Sequence, residues 1–212
     1  MRNKKAISIF FILFSLTVFA QPKGFKIIGD EENFRKKMTD AANNTQTIKS
    51  DFTQEKNINV LSEKIISRGL FLFKKQNMVR MEYTHPFKYL MIINKDKVMI
   101  KDEQKTNSFS SKSNKLFATI NNIILDCVQG TALENKDFTS KIFENETQYL
   151  LVLTPQKKDL KEFFENISIY LEKKDCSVHH LDMSEPSGDN TVITFSNKQF
   201  NANISDAEFF VN

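Results

Sequence analysis

Apolar and polar positions alternate most clearly between residues 67 and 93. A first run carries Phe71 and Phe73 at every second position, and a second run, residues 78–83, repeats the pattern. Side chains two positions apart share one face of a strand, so both runs predict strands with an apolar face. The short polar break at residues 74–77 predicts an antiparallel hairpin. A third run follows His85-Pro86.

Two stretches change to helical spacing. Asp30 is a candidate N-cap for a helix that runs to about Asn44, with two glutamates in its first turn. Ser113 is predicted to cap a second helix, which ends near Gly130. The apolar stripe of this second helix comprises Leu116, Phe117, Ile120, Ile123, Ile124 and Cys127.

Most of the remaining chain consists of short runs that predict strands. They begin with residues 48–55, resume after the second helix, and end with residues 209–211, which are predicted to close the sheet. We therefore expect a mainly β protein, a long antiparallel meander with one helix before it and one inserted after about the sixth strand. Such a meander must curl or close to protect its edges, and helices then lie across its open mouth or concave face.

The first twenty residues predict an export signal. Arg2, Lys4 and Lys5 precede an apolar segment, and residues 18–20 fit a cleavage site before Gln21. The alternative is an uncleaved N-terminal anchor. Cleavage leaves residues 21–212 as a single domain, and an exported domain would tolerate a disulfide. Cys127 and Cys176 either form that disulfide or remain two part-buried thiols.

Charge argues against a nucleic-acid partner. The full chain has 30 basic and 26 acidic residues, and loss of the three basic residues before the cleavage site leaves a net charge of about +1. No basic excess or nucleic-acid-binding motif remains.

Catalytic and metal-binding patterns are weak. The chain has five glycines, and neither a nucleophile elbow nor a phosphate-binding loop is present. His180 and Asp182 share a strand face, but the sequence offers no third metal ligand. We expect no enzymatic activity, no cofactor and no metal.

Bulky apolar residues are the compositional signal. The chain contains 20 Phe and 7 Met but no Trp. Met and Phe suit a surface that repacks around varied hydrocarbon chains. The alternative is an ordinary core in a proteome that favours Phe, Ile, Lys and Asn.

The motifs resemble those of the LolA family, the periplasmic carriers that move lipoproteins from the inner to the outer membrane. The resemblance rests on Asp51-Phe52-Thr53-Gln54-Glu55-Lys56, Gly69-Leu70-Phe71-Leu72-Phe73-Lys74-Lys75, Asn77-Met78-Val79-Arg80-Met81-Glu82-Tyr83, Thr84-His85-Pro86, Leu151-Val152-Leu153-Thr154-Pro155 and the segment from Asp206 to Val211.

This resemblance implies an incomplete antiparallel barrel of about eleven strands, with helices as a lid over a hydrophobic cavity. It further implies a monomeric carrier in the periplasm of a Gram-negative bacterium, an inner-membrane lipoprotein-releasing transporter as donor and an outer-membrane acceptor. The cargo would be acylated lipoproteins or other lipids. The implied cavity residues are Phe52, Phe71, Phe73, Val79, Met81, Tyr83, Leu90 and Ile92, and the implied lid face is Leu116, Ile120, Ile123 and Ile124.

The chain departs from the family pattern at two places. Family members often carry Arg-Pro where this chain has Lys75-Gln76, and the arginine ties the strand to the lid. Lysine keeps the charge but lacks the planar fork of donors, so Lys75 is the expected lid-control residue unless Arg68 or Arg80 takes that role. Met81 replaces the usual tryptophan of the second run.

Three other functions stay open. The first is a carrier of the same fold for a different lipid or acylated small molecule. The second is an outer-membrane lipoprotein receptor of the same fold, which the missing cysteine near the cleavage site disfavours. The third is an enzyme that acts on acyl chains, which the missing nucleophile–base pair disfavours.

Overall fold

Twelve antiparallel β-strands form one sheet in the computed structural model, which describes residues 21–75, 77–113, 119, 122–123, 125–127 and 130–211. The sheet order is β1-β8-β9-β10-β11-β12-β2-β3-β4-β5-β6-β7. The strands are β1 Lys26–Ile27, β2 Thr47–Ile58, β3 Glu63–Lys74, β4 Met78–His85, β5 Tyr89–Asn94, β6 Lys97–Lys101, β7 Thr106–Ser110, β8 Phe138–Glu144, β9 Gln148–Pro155, β10 Asn166–Glu172, β11 Val178–Ser184 and β12 Asn190–Phe200.

The sheet does not close into a barrel, because β1 and β7 are its two edges and do not pair. This arrangement is consistent with an open half-barrel and confirms the predicted fold class. The chain returns to pair its last strand, β12, with β2. The two halves of the chain therefore meet at the β12–β2 seam.

Helix α1, Glu31–Asn44, confirms the first predicted helix. The Asp30 carboxylate accepts a hydrogen bond from the backbone N–H of Asn33 at 2.9 Å, which satisfies a donor of the first turn. Phe34 and Met38 are its buried residues, and they join the main hydrophobic cluster. The helix is thus fixed across one face of the sheet, here called the inner face.

A second helix, α2, includes the described residues 119, 122, 123 and 125–127. It is followed by Gly130, which has a φ of +74°. A Cβ at Gly130 would lie 2.9 Å from the carbonyl oxygen of Met38. Glycine therefore permits both the left-handed backbone and the close approach to α1.

Three short helical turns complete the described structure: a 3-10 turn at Ser111–Ser113, helix α3 at Lys158–Lys161 and a 3-10 turn at Asp206–Phe209. The predicted closing strand at residues 209–211 is wrong. Instead, Phe209 is fully buried against the other face of the sheet, here called the outer face, and Phe210 is exposed. The outer-face cluster comprises Leu72, Met78, Ile92, Met99, Ile204 and Phe209.

The C-terminal segment, residues 202–211, is attached to the outer face by polar contacts. Arg80 donates from Nη1 to the Glu208 carbonyl oxygen at 3.1 Å, and Lys74 donates from Nζ to the Ile204 carbonyl oxygen at 2.8 Å. Asn94 donates from Nδ2 to the carbonyl oxygen of Phe209 at 3.1 Å. Arg80 therefore holds the C-terminal segment on the outer face.

Candidate functional site

The inner face of β2 to β5 is a continuous apolar surface. Cross-strand pairing places Phe71 opposite Met81, and Met81 opposite Met91, so these side chains form one row. Phe71 is 4 % exposed and Met81 is 3 % exposed. Six of the predicted cavity residues belong to or pack on the inner-face cluster: Phe52, Phe71, Phe73, Val79, Met81 and Tyr83.

The prediction that Leu90 and Ile92 line the cavity is wrong, because both residues lie on the outer face. Ile92 pairs with Arg80, and it packs in the outer-face cluster against which Leu90 also rests. Residues 90–93 are all apolar, so the alternation that distinguishes the two faces is hidden there. The pairing of Met91 with Met81 sets the phase and directs Met91 inward in their place.

Gly69 allows the β3–β4 pair to pack tightly over Phe52. A Cβ there would lie 2.0 Å from the Glu82 carbonyl oxygen and 2.9 Å from the Phe52 ring. The ladder shifts register between Arg68 and Gly69. The Phe52 ring then packs edge-on against Tyr83, with centroids 4.9 Å apart. The Tyr83 hydroxyl donates to Gln54 Oε1 at 2.9 Å, so this buried polar group is satisfied.

A first cavity of about 70 Å³ lies between the helices and the inner face. Helix α1 contributes Met38, Ala41 and Ala42, and α2 contributes Ile123 and Cys127. The strands contribute mainly apolar side chains, namely Ile48, Phe71, Met81, Val178, Leu181, Ile193, Phe195 and Phe200, and the polar lining is Thr45, Ser50, Asp175, Ser177 and Lys198. Among the described residues, α1 therefore covers as much of this cavity as the second predicted helix does.

A second cavity of about 480 Å³ adjoins the first. Met81 and Ile193 line both cavities, so they form the boundary between the two. The second cavity is covered by Phe163 and Phe164, which follow α3, and by the turn at residues 185–187. The inner face thus carries two adjoining apolar spaces rather than one uniform pocket.

The predicted lid residues are only partly within the described structure. Ile123 is buried and lines the first cavity. Leu116, Ile120 and Ile124 lie outside the described residues. The sequence predicts that helices cover the concave face but names lid residues on the second helix alone, and the structure adds Met38, Ala41 and Ala42 of α1.

Lys75 contacts α1. Its Nζ lies 3.4 Å from the carbonyl oxygen of Ala42 and 3.3 Å from that of Asn43, in the last turn of α1. Free carbonyl groups at a helix C-terminus attract cations. Lys75 thus ties the β3–β4 turn to α1. Its predicted neighbour in the motif, Gln76, lies outside the described residues.

Cys127 and Cys176 are both buried, unpaired and part of the first cavity wall. Burial raises the pKa of both thiols, which keeps them in the protonated, weakly nucleophilic form. The sequence leaves open a disulfide or two unpaired thiols, and the structure has two thiols.

No group of three metal-ligating side chains occurs within the described part of the chain. His180 contacts Thr194 at 3.1 Å, and Asp182 accepts a hydrogen bond from Asn190 at 3.3 Å, so the predicted pair has other partners. Burial lowers the pKa of His180. Among the helices that the structure describes, none has the length and apolar character needed to cross a membrane.

Comparison with known proteins identifies one family by sequence. The family model described as "Outer membrane lipoprotein carrier protein LolA" matches residues 43–212. No curated protein sequence matches this chain.

Several solved structures are similar to this chain at low sequence identity. An uncharacterised conserved protein from Thermus thermophilus has a TM-score of 0.50 and 11 % identity. The match covers 85 % of this chain and 93 % of the Thermus chain. A LolA superfamily protein from Nitrosomonas europaea has a TM-score of 0.44 and 10 % identity, with coverage of 84 % and 97 %. Lipoprotein LppX from Mycobacterium tuberculosis has a TM-score of 0.40 and 8 % identity, with coverage of 80 % and 95 %.

Proposed function

Because this chain belongs to the LolA family, we propose that it is a periplasmic carrier that moves acylated lipoproteins from the inner to the outer membrane. The acyl chains bind on the inner face, between the sheet and helices α1 and α2. The observation that carries this proposal is the row Phe71–Met81–Met91, which leads from the first cavity into the second.

Burial of hydrocarbon supplies the binding free energy. Each methylene that leaves water contributes about 0.8 kcal/mol. Phe71 and Met81 present a flat ring and a flexible thioether to such a chain, and these groups adapt to irregular shapes. No chemical step is needed, so the proposal requires no catalytic residue.

The first cavity is too small for a long acyl chain as it stands. Its volume of about 70 Å³ accommodates roughly five water molecules. Loading therefore requires α1 and α2 to move away from the strands. The contacts of the helices with the empty sheet then compete with the lipid, and this competition allows release as well as binding.

Transfer also requires two partners. We propose an inner-membrane lipoprotein-releasing transporter as the donor and an outer-membrane lipoprotein receptor as the acceptor. The carrier acts as a monomer and takes its cargo between them.

A substitution in the first cavity tests the proposal. Ala41→Trp on α1 fills the space that the acyl chain would enter, whereas Lys36→Trp adds the same side chain on the exposed side of α1. We expect Ala41→Trp to weaken binding of a triacylated lipopeptide at least about tenfold, the loss from excluding two methylenes or more, and Lys36→Trp to bind like the wild type. Displacement of the neutral dye Nile red measures both, and circular dichroism checks that α1 is intact.

Native mass spectrometry of the protein purified from periplasm without detergent identifies the cargo. A bound lipoprotein supports the full proposal, and a bound lipid without protein would replace lipoprotein by another acylated cargo. Equal binding of the lipopeptide by wild type and a folded Ala41→Trp variant would reject the cavity as the binding site.

A further inference from the structure

Among the lining residues that the structure describes, Lys198 is the one basic side chain of the first cavity. Its Nζ donates to Ser177 Oγ at 2.7 Å and to the Val178 carbonyl oxygen at 3.1 Å. An ammonium group has three donors, so one remains without an acceptor among the residues that the structure describes. Burial lowers the pKa of Lys198, and the nearby Asp175 carboxylate opposes that effect.

A third cavity, here called the basic mouth, opens beside Lys198. It has a volume of about 460 Å³ and shares five wall residues with the first cavity. The shared residues are Ala41, Thr45, Asp175, Cys176 and Phe200. The basic mouth therefore adjoins the first cavity across these shared residues.

Basic groups outnumber acidic groups around this opening. Lys37, Lys173 and Lys174 line the basic mouth together with Asp40 and Asp175. Lys173 is partly neutralised by Glu144, whose carboxylate lies 2.7 Å away, and the Asp175 carboxylate accepts a hydrogen bond from the backbone N–H of Ser177 at 2.9 Å. With Lys198 added, the lining carries four lysines against two aspartates.

The second cavity has the opposite charge. Its described lining includes Glu162 and Glu185 but no lysine or arginine. Glu185 forms an ion pair with Lys56. An elongated ligand on the inner face would therefore meet a basic end beside Lys198 and an acidic end beyond Met81.

We propose that the basic mouth and Lys198 bind an anionic group, a phosphate or a carboxylate, attached to the acyl chain of the ligand. This inference rests on the proposed function and gives the ligand a direction. The anionic end lies at Lys198 and the basic mouth, and the hydrocarbon extends past Phe71 toward Met81. A charged hydrogen bond in a half-buried site is stronger than one in water, which favours a chain that ends in an anion over a neutral chain.

The test compares ligands with the same chain and different ends. Dodecyl phosphate, dodecanoate and dodecanol, each below its micelle-forming concentration, compete with Nile red at neutral pH. We expect wild type to bind both anionic ligands about tenfold or more tightly than dodecanol, the range for hydrogen bonds to charged groups. Inorganic phosphate alone, at the same concentration, should not displace dodecyl phosphate.

Variants separate the anion site from the hydrocarbon site. Lys198→Met should remove most of the preference for the anionic ligands over dodecanol. Lys37→Met, at an exposed position of the basic mouth where folding is not at risk, should reduce the preference severalfold. Lys97→Met removes the same charge from an exposed position on β6 and should change nothing.

Four other outcomes would contradict the proposed anion site or the proposed function. Equal affinity of wild type for dodecanol and the anionic ligands would reject the anion site while leaving the carrier function intact. Failure of all three chains to bind would reject the proposed function itself. Displacement by inorganic phosphate alone would show a site for free anions, and equal weakening of all ligands by a folded Lys198→Met variant would show that Lys198 only supports the cavity wall.

Discussion

The Nζ atom of Lys75 lies 3.3 Å from the carbonyl oxygen of Asn43, so the β3–β4 turn holds the C-terminal end of α1 by a charged contact. This contact joins the floor of the inner face to the helix that covers it. Under the proposed function, the strength of this contact sets part of the free energy that a ligand must overcome to displace α1.

Lys75→Met removes this contact while keeping an unbranched side chain. We expect the free energy of unfolding to fall by about 0.3–1 kcal/mol, the usual contribution of a cation at a helix C-terminus. Hydrogen exchange of the last turn of α1 should become severalfold faster, and Nile red should bind faster. Lys75→Arg should exchange like the wild type. Unchanged exchange in Lys75→Met would show that the contact does not restrain α1.

Met81→Ala should merge the first and second cavities, because Met81 lines both. We expect the free energy of unfolding to fall by about 2–5 kcal/mol. We also expect the variant to bind longer acyl chains more tightly relative to shorter ones. Met78→Ala is the matched control, since Met78 is buried in the outer-face cluster. It should destabilise the protein comparably without changing the preference for chain length. A change in both variants would contradict the assignment of Met81 as the boundary.

Gly69→Ala should destabilise the sheet by about 1–3 kcal/mol through overpacking. The new Cβ would meet the Glu82 carbonyl oxygen and the Phe52 ring, neither of which can withdraw easily. Gly29→Ala is the control, because its Cβ would have nothing nearer than Glu144 Oε1 at 3.8 Å. Urea unfolding measures both, and equal midpoints would disprove the close contact at Gly69.

Phe209→Ala should cost about 3–5 kcal/mol, the range for a buried phenylalanine. Phe209 is fully buried on the outer face, whereas its neighbour Phe210 is 65 % exposed. Phe210→Ala should therefore leave the thermal unfolding midpoint nearly unchanged. The opposite order of the two variants would favour the strand that the sequence pattern predicts at residues 209–211.

Glu144 should make stability depend on acid pH. A hydrogen bond from Lys173, then the Gly29 backbone N–H and the charge of Lys26, lower the pKa of this carboxyl. The ionised form therefore stabilises the fold above the ordinary glutamate pKa, and this contribution is lost as the pH falls through the lowered pKa. Glu144→Gln should be less stable than wild type near neutral pH and should converge with it in acid. A constant difference across the acid range would contradict this assignment.

The sequence predicts the inner face of β3 and β4 well because apolar side chains recur at every second position of a half-buried strand. Phe71, Phe73, Val79 and Met81 keep this phase, and the structure places all four on the inner face. In β5 the apolar run is continuous, so the sequence does not show which side chains point inward. The pairing of β5 with β4 determines the inward side chains. For this reason the sequence prediction places Leu90 and Ile92 on the wrong face.

Long-range contacts limit the rest of the prediction. Phe209 and Phe210 are chemically identical neighbours, and packing against the outer face of the sheet determines which is buried. Lys198 is one lysine among many in the sequence, and its position in the wall of the first cavity depends on β11 and β12. Contacts of this kind leave no local pattern in the sequence.

The β12–β2 seam has a consequence for how the chain folds. Ser50 donates to the carbonyl oxygen of Ser196, although the two residues are 146 positions apart. The middle of the sheet can therefore form only after the last strand is available, and pairing over such separations is slow. Until then the apolar strands β2 to β5 have an unpaired edge. We expect refolding at high protein concentration to compete with aggregation, and a chaperone that covers β2 to increase the yield.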